Sequence, residues 1–171
     1  MATTTQPTVT VDEYLGSTYH PDRDYIDGML EERNLGEPEH AVAQGALIEW
    51  FRTHAQAWDI WVLPEIRLQI TPTRFRVVDV GLSPRRHPIN PLKQHPPLAV
   101  IEIVSPEDRI SRYANRISDY RKMGLTHIWV VNPQTRRGYD CSTGSWMETQ
   151  SFAIENSPIR VDLASIFAEL T

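Results

Sequence analysis

The run Leu98-Ala99-Val100-Ile101-Glu102-Ile103-Val104, a helix-forming stretch after it, and then His127-Ile128-Trp129-Val130-Val131 constrain the fold of this 171-residue chain more than any other part. Ser105 suits an N-cap with Asp108 three residues on, Pro106 takes the first helical position and Gly124 ends a helix predicted over about 106–123. A strand, a helix and a strand joined this way form a right-handed parallel crossover. The chain is therefore expected to be α/β, with this crossover at the centre of a sheet.

The flanking segments add antiparallel pieces. After a disordered or extended leader expected at 1–9, Thr10 caps a short helix, and Tyr25-Ile26, Asp27-Gly28 and Met29-Leu30-Glu31 predict a hairpin around a type I′ turn. Pro38 opens a helix predicted over 38–57, whose buried face is marked by Ala43, Leu47, Trp50, His54 and Trp58. Glu39, four residues before Ala43, is expected on that same face. Strands are predicted at 60–63, 66–70 and 75–82, the last two joined by Thr71-Pro72-Thr73. The segment 83–97 carries five prolines with Arg85, Arg86, His87, Lys93 and His95, a loop long enough to expect a use for it. Beyond Asn132-Pro133, strands near 138–141, 146–150 and 159–161 predict a further antiparallel meander, and Asp162 caps a last helix ending near Leu170. One domain spanning 10–171 is expected.

Composition removes several function classes. Met1 to Pro7 lacks the basic and apolar regions of a signal peptide, and no window approaches a membrane span, so a soluble, cytoplasmic protein is expected. A single cysteine, Cys141, allows no intrachain disulfide. Seventeen Lys plus Arg against 22 Asp plus Glu leave a net charge of -5, so nucleic-acid binding would need a local basic patch. The histidines have no HExxH spacing, and GxSxG, Walker and GxGxxG motifs are absent.

Two carboxylates stand where burial should exclude them: Glu102 within 98–104, and Asp79 within Val77-Val78-Asp79-Val80. An unpaired charge in such a strand costs several kcal/mol, so each needs a partner. If the strands are neighbours, one divalent cation could serve both, and hard oxygen ligands select Mg²⁺ or Mn²⁺. The alternative is structural, with Asp79 paired to Arg76 or Arg74 and Glu102 to an arginine of the following helix. In that helix Ile110, Tyr113, Ala114, Ile117 and Tyr120 form the core stripe. Arg116 lies about 40° from Tyr120 and can reach inward, Arg112 continues that border, and Lys122 meets solvent. Glu39 could add a third carboxylate, or simply face the helix dipole. His40 beside it could contact a ligand or be structural.

Tyr25-Ile26-Asp27-Gly28, Glu37-Pro38-Glu39-His40, Arg76-Val77-Val78-Asp79-Val80, Glu102-Ile103-Val104-Ser105-Pro106, and Tyr120 through Gly124 to Pro133 together resemble the bacterial Uma-two family. That family is assigned to the restriction-endonuclease-like, PD-(D/E)XK, superfamily. The resemblance covers about 10–170. It implies a mixed sheet flanked by helices, a Mg²⁺-dependent phosphodiesterase-type site, nucleic acid as partner and a homodimer. Asp79 matches the motif aspartate, Glu102 the acidic residue of E-x-K, and Glu39 the first-helix glutamate. Two positions depart from the pattern: Val78 stands for proline, and Val104 for the lysine. The basic residue of this family lies fourteen positions after the glutamate, which here is Arg116.

The expectation is a metal-dependent nuclease in which Asp79, Glu102 and Glu39 hold Mg²⁺ or Mn²⁺. Arg116, always charged, steadies phosphoryl oxygens, and Arg85, Arg86, Lys93, Arg109 and Arg112 guide the polyanion. The alternative is a catalytically impaired relative of a nuclease that acts as a dimeric binding or scaffold module.

Overall fold

The computed structural model of the chain describes residues 8–33, 37–87, 95–105 and 110–170. Thr10 caps α1 (Val11–Gly16) reciprocally: its hydroxyl accepts from the Glu13 N–H, and the Glu13 carboxylate accepts from the Thr10 N–H. Strands β1 (Asp24–Ile26) and β2 (Met29–Glu31) pair antiparallel around Asp27 and Gly28, whose φ values of 49° and 93° fit the expected type I′ turn. Helix α2 (Pro38–His54) ends three residues earlier than predicted. Its buried line is Ala43, Leu47 and Phe51, continued by Ala55, while Trp50, His54 and Trp58 lie half-buried at the edge.

The two short strands predicted at 60–63 and 66–70 are one strand, β3 (Ile60–Thr71), paired antiparallel along the whole of β4 (Arg74–Pro84). Pro64 and Glu65 do not end it, because the long partner strand carries the register past them. Strand β5 (Ala99–Ile103), helix α3 (Ile110–Lys122) and strand β6 (Ile128–Asn132) form the expected crossover, with β5 and β6 parallel. Gly124, at φ 90°, terminates α3 as predicted. The N-terminal signal of that helix, Pro106 and Asp108, lies outside the described residues, as does the side chain of Ile110. Ala114 is exposed rather than part of the stripe, which is made by Tyr113, Ile117 and Tyr120.

Strands β7 (Arg137–Asp140) and β8 (Met147–Thr149) extend the sheet antiparallel. The third strand of the predicted meander does not join them: β9 (Ser151–Ala153) and β10 (Arg160–Asp162) pair as a separate ribbon, followed by α4 (Leu163–Ala168), which Asp162 caps. The main sheet runs β2-β1-β4-β5-β6-β7-β8, with β3 also on β4. Helices α2 and α4 cover one face, where Leu47, Phe51 and Ile166 pack on Val80, Ile101 and Trp129. Helix α3 covers the other, with Ile117 and Tyr120 against Val78, Val100 and Val130. No helix among the described residues is long and apolar enough to cross a membrane.

Among the described glycines the closest approach is at Gly138, where an added Cβ would fall 2.1 Å from Leu163 Cδ1 and 3.2 Å from Phe152 Cζ. Gly138→Ala is expected to cost about 1–3 kcal/mol by overpacking. A lower denaturant midpoint at unchanged slope would show it.

Candidate active site

The site originates in a gap in the hydrogen-bonded sheet. Strand β3 occupies one edge of β4 throughout, so β1 and β5 share the other: β1 pairs with Arg74 and Phe75, and β5 with Val80 to Leu82. Among the described residues, 76–79 have no strand on that edge. Their backbone groups still need partners, and side chains supply them. The Val77 N–H donates to Asp24 Oδ1 at 2.8 Å and the Val77 carbonyl accepts from Arg116 Nη2; across the notch, the Ile103 N–H at the end of β5 donates to Asp79 Oδ2 at 2.7 Å.

Asp24 joins the two arginines of this notch. Fully buried at the start of β1, its Oδ2 accepts from Arg76 Nη1 at 2.9 Å and from Arg116 Nη1. Arg76 also donates to Glu31 and Asp119, and Arg74 to Asp119 and Asp27. Neither therefore serves Asp79, contrary to the structural pairing considered for it. Arg116 does reach Glu102, its Nη2 lying 2.9 Å from Oε1, and the Tyr120 hydroxyl donates to the same oxygen. Burial works against the Arg116 charge, but Asp24 and Glu102 hold its pKa well above the usual value. Burial raises Tyr120 far above the usual phenol value, so it stays an O–H donor.

Extending the β4–β5 register by one residue puts Asp79 across from Glu102. Val78 packs in the α3-side core and Val80 in the α2-side core, so the alternation of faces breaks at Asp79. Asp79 Oδ1 accepts from Arg33 Nη2, and its Oδ2 lies 3.5 Å from His40 Nε2. Burial would raise the Asp79 carboxyl, but the His40 hydrogen bond, the Arg33 charge and the Ile103 N–H bring it down to about 2. Burial, with the repulsion of Asp79 added, pushes Glu102 up to about 7 despite Arg116 and Tyr120. The two acids, with opposite shifts, face one pocket of about 30 Å³, also lined by Arg33, His40, Arg112 and Arg116.

A family model described as "Putative restriction endonuclease", Uma2 (Uma-two), matches residues 12–156. The chain belongs to the Uma2 family. A solved structure from Anabaena variabilis ATCC 29413, described as "a putative nuclease belonging to DUF820", matches with a TM-score of 0.78 over 95% of this chain and 99% of that chain, at 16% identity. At that identity the likeness is one of fold, and it agrees with the mixed sheet flanked by helices expected from sequence. No curated protein matches the chain.

Within this Uma2 protein the residues singled out from sequence separate into three groups. Asp79, Glu102, Arg116 and Arg112 come together at the pocket. Glu39, Arg85 and Arg86 do not: Glu39 is exposed on α2, Arg85 packs over the Trp61 ring at 4.8 Å, and Arg86 is exposed beyond the end of β4. Lys93 and Arg109 lie outside the described residues. Glu39 fails because a four-residue step turns about 40° past a full helical circle, so three steps carry it about 120° from Phe51. His40 and Gln44 lie within about 20° of Phe51 and take the inward positions instead. Gln44 donates to the Asp79 carbonyl at 3.0 Å. Sequence reading missed Asp24 and Arg33, which show no periodic signal, and undervalued His40. Tyr120, four residues after Arg116 on one helical face, was a legible partner.

Two carboxylates of opposite shift also test whether a divalent ion suits the site. Among the described residues no three His, Cys, Asp or Glu converge as ligands. Mg²⁺ needs only one or two carboxylates when waters and substrate phosphate complete its shell. Asp79 and Glu102 put two carboxylates, both hard oxygen donors, on one pocket, and that donor set suits a hard cation.

The shifts predict a pH dependence without added divalent ion. Glu102 binds a proton more tightly folded than unfolded, so its stabilisation is complete below the ordinary value of 4.5 and is lost as pH rises to about 7. His40 is raised above 6.5 by Asp79 against burial, so its stabilisation is present below 6.5 and is lost above it. Asp79 acts oppositely, its stabilisation being present above 3.8 and lost as pH falls toward 2. Thermal unfolding is therefore expected to show stability falling from pH 4.5 to 8, by an amount on the order of a few kcal/mol. Glu102→Gln should flatten the 4.5–7 part; an unchanged slope would remove Glu102 as its source.

Proposed function

We propose that this Uma2 protein hydrolyses phosphodiester bonds of nucleic acid with Mg²⁺ or Mn²⁺ held by Asp79 and Glu102. The observation that carries the proposal is the pair itself: two buried carboxylates on adjacent strands opening into one pocket rimmed by guanidinium groups. The family description and the fold both point the same way. A divalent cation there would supply charge to activate water at neutral pH and to stabilise the phosphoryl oxygens. The chain's own residues prepare the place. The Ile103 N–H orients Asp79, and Tyr120 and Arg116 orient Glu102. Arg116 is a positioning residue here rather than the phosphate ligand expected from sequence, because Asp24, Val77, Glu102 and Tyr120 already take its Nη groups. Glu39 is left out of the ligand set. Arg112, which lines the pocket and donates to the Glu32 carbonyl, would guide the phosphate chain.

Titration calorimetry with Mn²⁺, paired with cleavage of labelled DNA and RNA, tests the proposal. A saturable site at millimolar metal, lost in Asp79→Ala and Glu102→Ala together with cleavage, is expected. Absence of a saturable site would instead support the second reading, a binding or scaffold module. The observation favouring that reading is that each carboxylate already has a guanidinium partner. A homodimer is part of the proposal by resemblance, and sedimentation equilibrium giving a monomer mass would refute it.

A further inference from the structure

We infer that Arg33 is the resident counter-ion of Asp79, which a divalent cation displaces on entry, and that the displaced guanidinium is the group that takes a phosphate of the substrate. The inference rests on the ion-binding proposal above and adds what that proposal lacks, a way for two cations to share one carboxylate.

Three observations carry it. The two oxygens of Asp79 are engaged differently. Oδ2 is built into the fold by the Ile103 N–H at 2.7 Å, with His40 beside it, whereas Oδ1 is held by Arg33. Oδ1 is thus the oxygen whose partner is a side chain and not the backbone of a strand, and that partner is Arg33. The two guanidiniums of the pocket differ in how firmly they are tied. Arg116, 4% exposed, is held by Asp24, Glu102 and the Val77 carbonyl, and cannot leave without unmaking the notch. Arg33, 12% exposed, makes its hydrogen bond to Asp79 alone among the described residues. Its place in the chain also permits movement, since it follows β2 and precedes α2 and belongs to neither.

Asp79 and Glu102 would hold the ion, whose double charge would repel a guanidinium at Asp79, and Arg33, the less tethered arginine, would be the one to yield. Nucleic acid then brings negative charge to the mouth of the pocket, where a planar fork with paired N–H donors matches phosphate oxygens. Metal and substrate would thereby be coupled: loading the ion frees the residue that recognises the phosphate.

Mn²⁺ affinity by calorimetry gives the first test. Arg33→Met is expected to bind Mn²⁺ about ten-fold more tightly than wild type, a coupling of ordinary allosteric size. Arg33→Lys, which keeps the charge, should remain near wild type. Equal or weaker binding by Arg33→Met overturns the inference. If wild type itself shows no saturable site, the ion-binding proposal falls and this falls with it; a wild-type site unaffected by Arg33→Met overturns only this one. The unaltered protein gives a second test that does not depend on how the variant folds. Phenylglyoxal modification of Arg33, mapped by mass spectrometry, should become several-fold faster with Mn²⁺, and an unchanged rate counts against displacement. For the phosphate role, Arg33→Met should reduce the slope of log affinity for an oligonucleotide against log salt by about one when Mn²⁺ is present. An equal slope in the two proteins overturns that part.

Discussion

Asp24→Ala is expected to lower stability by about 3–5 kcal/mol, the cost of removing one member of a buried ion network. For a chain of this length that is a loss of roughly 6–20 °C in Tm. The reason is that one carboxylate satisfies three donors. Without it Arg76 and Arg116 keep buried guanidiniums with less compensation, and the Val77 N–H loses its acceptor on the edge of β4 that, among the described residues, has no strand beside it at 76–79. Arg116 Nε is already buried without a partner among the described residues, so the network has no spare acceptor to offer. Arg76 retains Glu31 and Asp119, so Arg116 and Val77 should bear most of the loss. Thermal unfolding at pH 7 checks this, and a change within about 1 kcal/mol, the worth of an exposed pair, would refute it.

Glu102→Gln should separate function from stability. Gln keeps the oxygen that accepts from Tyr120 and Arg116 but cannot carry the charge that the proposed ion requires. Cleavage is expected to fall by at least about 10²-fold, as when one preorganised electrostatic group is removed. Stability above pH 7 should stay level or rise, because the wild-type carboxylate is ionised there against burial and against Asp79. Sites that hold uncompensated charge for function commonly gain stability when it is removed. Paired rate measurements and unfolding curves at pH 8 test both halves. Retained cleavage would remove Glu102 from the chemistry, and a large loss of stability would mean that Arg116 depends on its charge.

Much of the fold could be read along the chain because its signals are local. The Thr10 cap, the Asp27-Gly28 turn and the Gly124 helix end each depend on residues within a few positions of one another, the β5–α3–β6 crossover follows from three consecutive elements joined by short connections, and the structure contains all four. The errors arose where a local signal competed with a long-range one. Pro64 and Glu65 signal a break, but pairing with β4 across many residues carries β3 through them. The strand at 160–162 has the composition of a meander strand, yet it takes β9 as its partner instead. Glu39 and Trp50 follow an approximate helical repeat whose phase drifts, and packing selected Phe51 as the centre of the α2 face.

The candidate site divides along the same line. An acid in an apolar strand must be buried and must be compensated, because desolvating a charge costs more than any local preference can offset; Asp79 and Glu102 were legible for that reason alone. Which cation compensates each depends on distance in space. Glu102 meets Arg116 from 14 residues away through the crossover, a partner the helical phase of α3 could suggest. Asp79 meets Arg33 from 46 residues away, and Arg116 meets Asp24 from 92. Those pairings exist because β1 and β5 leave a notch along one edge of β4, and no periodicity in the chain encodes a gap between two strands that are themselves far apart in sequence.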